Sequence, residues 1–139
     1  MNKKSIACIA FNEKKVFIAH RNPVGQMGGR WEFPGGKVEC NEDPELTVKR
    51  EFSEEFGVNA KPLCLITENS FLHNGKNVLL KAYLVEVDSD GIKNPYVLTE
   101  HSEYKWVSID EIPVENFVDS DLKIYPEVKN FVKNQLKAE

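Results

Sequence analysis

The segment that most restricts the fold runs from Asp43 to Gly57, because it reads as one helix with marked ends and two incompatible faces. Asp43 suits the N-cap, and Pro44 suits the first turn, where a missing N–H costs nothing. Gly57 suits the left-handed residue that ends a helix. On a helix advancing about 100° per residue, Val48, Phe52 and Phe56 form a stripe that must be buried, here against a sheet. Glu51, Glu54 and Glu55 cluster on the adjoining arc. Like charges crowded within one turn repel each other. Lys49 and Arg50 give some relief, but no basic residue follows Glu54 until Lys61. The residues alone leave two readings open, a solvated acidic face or a site for a multivalent cation. Carboxylate oxygens suit Mg²⁺ or Mn²⁺, which retain waters and accept substrate phosphates as further ligands.

Strand patterns surround this helix. Residues 5–11 and 15–21 read as a hairpin turning at Asn12, Glu13 and Lys14. Residues 22–30 hold Pro23 and three glycines and read as a loop. Residues 31–33 form a short extended piece stopped by Pro34, Gly35 and Gly36. Strand-rich stretches over 61–72 and 78–87 connect through Asn74–Gly75. A polar loop follows over 88–95, then a strand over 103–109. Residues 126–137 read as an amphipathic helix with Val128, Phe131, Val132 and Leu136 inward. The fold class is α+β, a mixed sheet with helices packed on its faces. No repeat or linker divides the 139 residues, so one domain over 1–139 is expected.

Composition narrows the partners. A net charge of −4 argues against binding a nucleic-acid polymer, which needs a basic surface. It leaves a phosphorylated small molecule open, since a bound cation neutralises such a substrate locally. The apolar run over 6–11 is too short for a membrane span or signal-peptide core. Cys8, Cys40 and Cys64 form no CxxC pair, which suits a reducing cytoplasm. Cys8 and Cys64 fall in apolar strand-like runs and read as small buried hydrophobes. His20, His73 and His101 are scattered without ligand spacing and read as surface or packing residues.

The context of the acidic helix is specific. Gly35–Gly36 precede it, where backbone can approach a phosphate or offer a carbonyl to a metal. The run is Gly36, five residues, Glu42, seven residues, Arg50–Glu51–Phe52, one residue, Glu54–Glu55, one residue, Gly57–Val58. Over residues 36–58 it resembles the Nudix box at every defined position. The lead-in Trp31–Glu32–Phe33–Pro34–Gly35–Gly36–Lys37 resembles the MutT-like branch, as do residues 17–21 and Trp106–Val107. The resemblance implies an α/β/α sandwich around a mixed sheet and hydrolysis of a nucleoside diphosphate linked to another group. It also implies Mg²⁺, or Mn²⁺ in its place, held by Glu51, Glu54, Glu55 and the Gly35 carbonyl. By the same resemblance Arg50 orients the glutamates by ion pairing, and Glu42 supports it. Some MutT-like proteins carry a glutamate directly before the tryptophan matching Trp106. Lys105 stands there in this chain, so Glu54, Glu103 and Glu100 all remain candidates for the proton acceptor.

Residues outside the box must read the rest of the substrate. Arg21 is either a strand-end surface residue or, as the resemblance implies, a contact to the phosphates or the nucleoside, and Phe33 either packs in the core or lines a base pocket. Gly36 and Lys37 belong to the phosphate side. Residues 117–122 resemble the segment where MutT-like enzymes place an asparagine or aspartate against the base, so Asp121, with Asp119 as its alternate, reads as a base reader by resemblance, a helix cap, or both. An ionised aspartate suits an exocyclic amine such as that of cytosine, and a protonated one can also read a purine. The expected activity is conversion of nucleoside triphosphates, including oxidised ones, to monophosphate and pyrophosphate by a cytoplasmic monomer or weak homodimer. ADP-ribose or another dinucleotide is the alternative substrate. A non-catalytic nucleotide-binding module is the alternative class, and the intact glutamates Glu51, Glu54 and Glu55 argue against it.

Overall fold

In the computed structural model of the chain, residues 3–23, 27–87 and 101–137 are described; the loop expected over 88–95 and Glu100 lie outside them. The elements in chain order are β1 (Lys3–Asn12), β2 (Lys15–Arg21), β3 (Trp31–Glu32), β4 (Gly35–Lys37), α1 (Pro44–Phe56), β5 (Ala60–His73), β6 (Lys76–Val87), β7 (His101–Val107) and α2 (Asp119–Lys137). The strands form one mixed sheet in the order β3-β2-β1-β6-β5, with β4 paired to β1 and β7 to β2. Only β1 and β6 run parallel, from Lys3 opposite Val78 to Ala10 opposite Val85, among the described pairs.

Strand alternation on β1 divides the core into two layers. Ile6, Cys8 and Ala10 face the α1 side, where Val48, Phe52 and Phe56 close the layer with Phe17. Ala7 and Ile9 face the opposite side, against Ile124, Val128 and Val132 of α2. This is the sandwich expected of the sequence, with the inward stripe of α1 in place. Asp43 caps α1 by accepting from the Glu45 N–H, and Gly57 ends it at φ 66°. The β5–β6 hairpin turns at Asn74 (φ 52°) and Gly75 (φ 76°), which suit the left-handed region.

Several boundaries differ from the expectation. Gly35 and Gly36 do not stop the chain; they form β4, paired with Ile6 and Ala7 of β1. A Cβ on Gly35 would lie 2.0 Å from the Ile6 carbonyl oxygen, so only glycine allows this approach. The last helix starts at Asp119 instead of at Pro126, which sits inside it. Tertiary anchors outweigh the proline: the Val118 N–H bonds to the Trp31 carbonyl, and Asp121 and Ile124 are buried in the turns before Pro126. Ile109 leaves β7 for a short 3-10 turn. Cys8 is buried, whereas Cys64 is exposed. Strand β5 is the sheet edge, and register shifts on both sides of Cys64 break the alternation that would have turned it inward. No helix among the described residues is long and apolar enough to cross a membrane.

Candidate active site

Arg50 organises the acidic face of α1. Its Nε and Nη2 donate to the two carboxylate oxygens of Glu42 at 2.7 and 3.1 Å, a forked pairing. Nη2 also donates to the Lys37 carbonyl at 3.0 Å, and Nη1 reaches Glu51 at 3.1 Å and Glu54 at 3.4 Å. One guanidinium thus joins β4, the loop before α1, and the helix face. Glu42 further accepts from the Glu39 N–H and the Thr47 hydroxyl. The Arg50 hydrogen bond, then these two donors, pull the Glu42 carboxyl down to about 2. The same pairing pushes Arg50 above its already high value. Neither group changes charge near neutrality, so the pair is a fixed frame.

Glu51, Glu54 and Glu55 border one open cleft of about 820 Å³ with Gly35, Gly36 and Lys37. Gly36 lies so close to the helix that a Cβ there would meet Glu51 Oε1 at 2.2 Å. Glycine backbone and carboxylates therefore border the cleft together, and among the described residues that line it there is no cysteine or histidine, a donor set that fits a hard divalent cation. Among the described residues no three acidic, histidine or cysteine side chains close into a ready-made cage.

His101, expected at the surface or in simple packing, instead joins the site. It is buried, and its Nδ1 lies 2.8 Å from Glu55 Oε1 while Nε2 lies 2.7 Å from Glu32 Oε2. Carboxylates only accept, so both ring nitrogens donate and the ring is an imidazolium. Burial alone would lower its pKa, but the bonds to Glu32 and Glu55 and their charges prevail and raise it to about 9. The Phe56 ring stacks on it at 6.0 Å. Simple alternation on β7 would put His101 on the same side as Glu103 and Lys105. A register shift between His20 and Arg21 pairs Arg21 with His101 and turns the imidazole to the α1 side. No sequence pattern announces that bulge.

The opposite wall comes from β2, β3 and α2. Arg21 Nη1 donates to both oxygens of Glu32, at 3.3 and 3.4 Å. Among the described residues its Nε, buried beside the cleft, has no hydrogen-bond partner. Phe33 is buried against Phe117 and gives its backbone N–H to Asp121 Oδ2 at 2.9 Å. Asp121 lines the cleft yet is only 5% exposed. Burial first, then the charge of Glu32, raise its pKa well above the ordinary carboxylate value, against the opposing pull of the Phe33 amide and Arg21. Among the described residues it accepts from Phe33, on the flank of β3, and not from its own helix terminus. Asp119 is exposed and paired with Arg30 at 3.0 Å. Glu103 is exposed on β7 opposite His20, and it is not among the residues that line the cleft. Lys105 places its ammonium 4.4 Å above the Trp31 ring.

An 8-oxo-dGTP diphosphatase of Proteus vulgaris is 37% identical over 89 residues, covering 61% of this chain and 80% of the relative. A CTP pyrophosphohydrolase of Escherichia coli K12 is 30% identical over 106 residues, covering 76% of each chain. The crystal structure of a MutT protein from Methanosarcina mazei superposes with a TM-score of 0.76 at 25% identity, covering 98% of this chain and 96% of that one. The NUDIX domain model matches residues 1–128, and the chain belongs to the Nudix family.

Proposed function

We propose that this chain is a Mg²⁺-dependent pyrophosphohydrolase, with Mn²⁺ as a working substitute, that converts nucleoside triphosphates to monophosphate and pyrophosphate and favours an oxidised guanine base. It acts as a single domain over 1–139, in the cytoplasm, as a monomer or weak homodimer. The observation that carries the reading is one cleft with an Arg50-organised glutamate face on one wall and the buried Asp121, bonded to the Phe33 amide, on the other.

Glu51, Glu54, Glu55 and the Gly35 carbonyl would hold the metal. A divalent cation held there would supply polarisation of phosphoryl oxygens and offset charge on the leaving group. The protein's own part is positional. Arg50 keeps Glu51 and Glu54 turned to the cleft, and Gly36 with Lys37 borders the phosphate side. Arg21 brings a cation whose Nε has no hydrogen-bond partner among the described residues. Glu54 lines the cleft and takes the proton-acceptor role; Glu103 does not line it.

Base choice follows from the state of Asp121. An ionised carboxylate would suit the cytosine amine; burial, which raises the pKa of Asp121, works toward the protonated carboxyl, which offers an O–H donor beside an acceptor. Guanine oxidised at C8 presents N7–H as a donor next to O6 as an acceptor, which matches that pair. Similar proteins carry names for both substrates, 8-oxo-dGTP and CTP. A Mg²⁺ screen of 8-oxo-dGTP, dGTP, CTP, ADP-ribose and dinucleoside polyphosphates, with product identification, decides between them. Pyrophosphate release fastest from 8-oxo-dGTP is expected. Fastest turnover of CTP would reverse the base assignment, and no turnover of any of them would leave a binding module.

A further inference from the structure

The glutamates of α1 have a support that lies far from the box in sequence. His101 is 4% exposed and touches two carboxylates from two different elements, Glu55 of α1 and Glu32 of β3. Glu32 in turn takes both contacts from Arg21 Nη1. The chain Arg21–Glu32–His101–Glu55 therefore runs from the substrate wall of the cleft to the helix, and three of its members line that cleft. The imidazole is held in place by the stacked Phe56 ring and by the bulge that turns it inward. A long glutamate side chain has several rotamers, and fixing one of them sets where its oxygens stand.

We propose that His101 is a positioning residue, a two-ended pin that fixes the Glu55 carboxylate for metal binding through Nδ1 and ties it to the Glu32–Arg21 pair through Nε2. The inference rests on the metal-ligand reading of Glu55. His101 itself neither binds the metal nor touches substrate. Partners of this kind, which orient a metal ligand, change metal affinity by ~10–100-fold when removed.

Asparagine and glutamine separate the two ends of the pin. The side-chain nitrogen of asparagine falls near the position of Nδ1, and that of glutamine near Nε2. His101→Asn keeps the bond to Glu55 and loses the one to Glu32; His101→Gln does the reverse. His101→Phe keeps the stacking on Phe56 and loses both bonds.

Mn²⁺ affinity, measured without substrate by electron paramagnetic resonance, is expected to fall in the order wild type, His101→Asn, His101→Gln, His101→Phe. The total loss should be ~10–100-fold. The Mg²⁺ concentration for half-maximal kcat should shift in the same order. Glu55→Gln is the control for the underlying reading: if it leaves Mn²⁺ affinity unchanged, Glu55 is not a ligand and the metal-site reading fails. If Glu55→Gln weakens binding while His101→Asn and His101→Gln match each other or match wild type, the pin is wrong and the metal site stands. Should His101→Phe fail to fold, the asparagine and glutamine variants decide alone. Melting temperatures of both are expected to be similar, so a Mn²⁺ order that merely followed stability would also overturn the proposal.

Discussion

Two helices bring carboxyl groups to one cleft, in opposite surroundings. Before and along α1, Glu42, Glu51 and Glu54 are paired to the guanidinium of Arg50, and the Glu42 carboxyl is held down to about 2. On α2, Asp121 is buried against a backbone amide, with the charge of Glu32 nearby, and its pKa is pushed up. The same functional group is thus held as an anion where Arg50 pairs it and pushed toward its protonated form where it is buried. Burial and the choice of partner decide which. A paired, water-accessible carboxylate is suited to share a cation, and a desolvated neutral one is suited to read a base edge.

The sharpest way to break this comparison is to neutralise the α1 wall. Glu54→Gln and Glu55→Gln keep shape and remove charge, so each should lower kcat by about 100-fold or more while the far-ultraviolet spectrum stays unchanged. Near-normal turnover in either variant would leave the acidic face without its assigned role. A smaller effect is expected from the neighbouring glycines, which act on different links of the chain. In Gly36→Ala the new Cβ meets the end of the Glu51 side chain, which can swing away, so Mg²⁺-dependent activity should fall about tenfold, the scale of a displaced metal-site support, with stability nearly unchanged. In Gly35→Ala it meets the backbone of Ile6, which cannot, so stability should fall by about 1–3 kcal/mol in urea unfolding. Equal stability losses in the two variants would mean that β4 is not seated as described.

On the α2 wall, Asp121→Asn keeps an acceptor for the Phe33 N–H and a donor beside it. Activity on 8-oxo-dGTP should therefore stay within a few-fold of wild type, as about the loss of part of one neutral hydrogen bond. Asp121→Ala leaves that buried amide unsatisfied and should cost about 1–3 kcal/mol of stability along with base discrimination. Loss of 8-oxo-dGTP activity in Asp121→Asn, with CTP activity also lost, would show that the carboxyl works as an anion.

Most of the α1 wall was legible before the structure because its signals are local. Capping residues, the stripe Val48, Phe52 and Phe56, and the glycines all act within a few residues of one another. The opposite wall depends on contacts between distant parts of the chain. Asp121 is joined to Phe33 across 88 positions, so the sequence could nominate it but could not show its burial. His101 was hidden altogether, because a bulge reversed the face that alternation assigned to it. Cys64 failed for the same reason on an edge strand, where shifted register replaces the inside–outside rule. The start of α2 was missed because Pro126 is a strong local signal that tertiary anchors at Val118 and Asp121 override.

The smallest effect distinguishes the two walls by the sign of their pH dependence. Glu42 has a folded pKa below its unfolded value, so the stability it contributes is present above about 4.5 and disappears as pH falls toward about 2. Asp121 has a folded pKa above its unfolded value of 3.8, so its contribution is present below that value and disappears as pH rises through the folded pKa. Urea-unfolding midpoints across the acid range should therefore show two opposing slopes. Glu42→Gln should flatten the low-pH limb, modestly, because a water-accessible pair is screened. Asp121→Asn should flatten the limb above 3.8 and leave the lower one intact. If both variants altered the same limb, the two carboxyls would share one environment, and the division between a cation wall and a base wall would collapse.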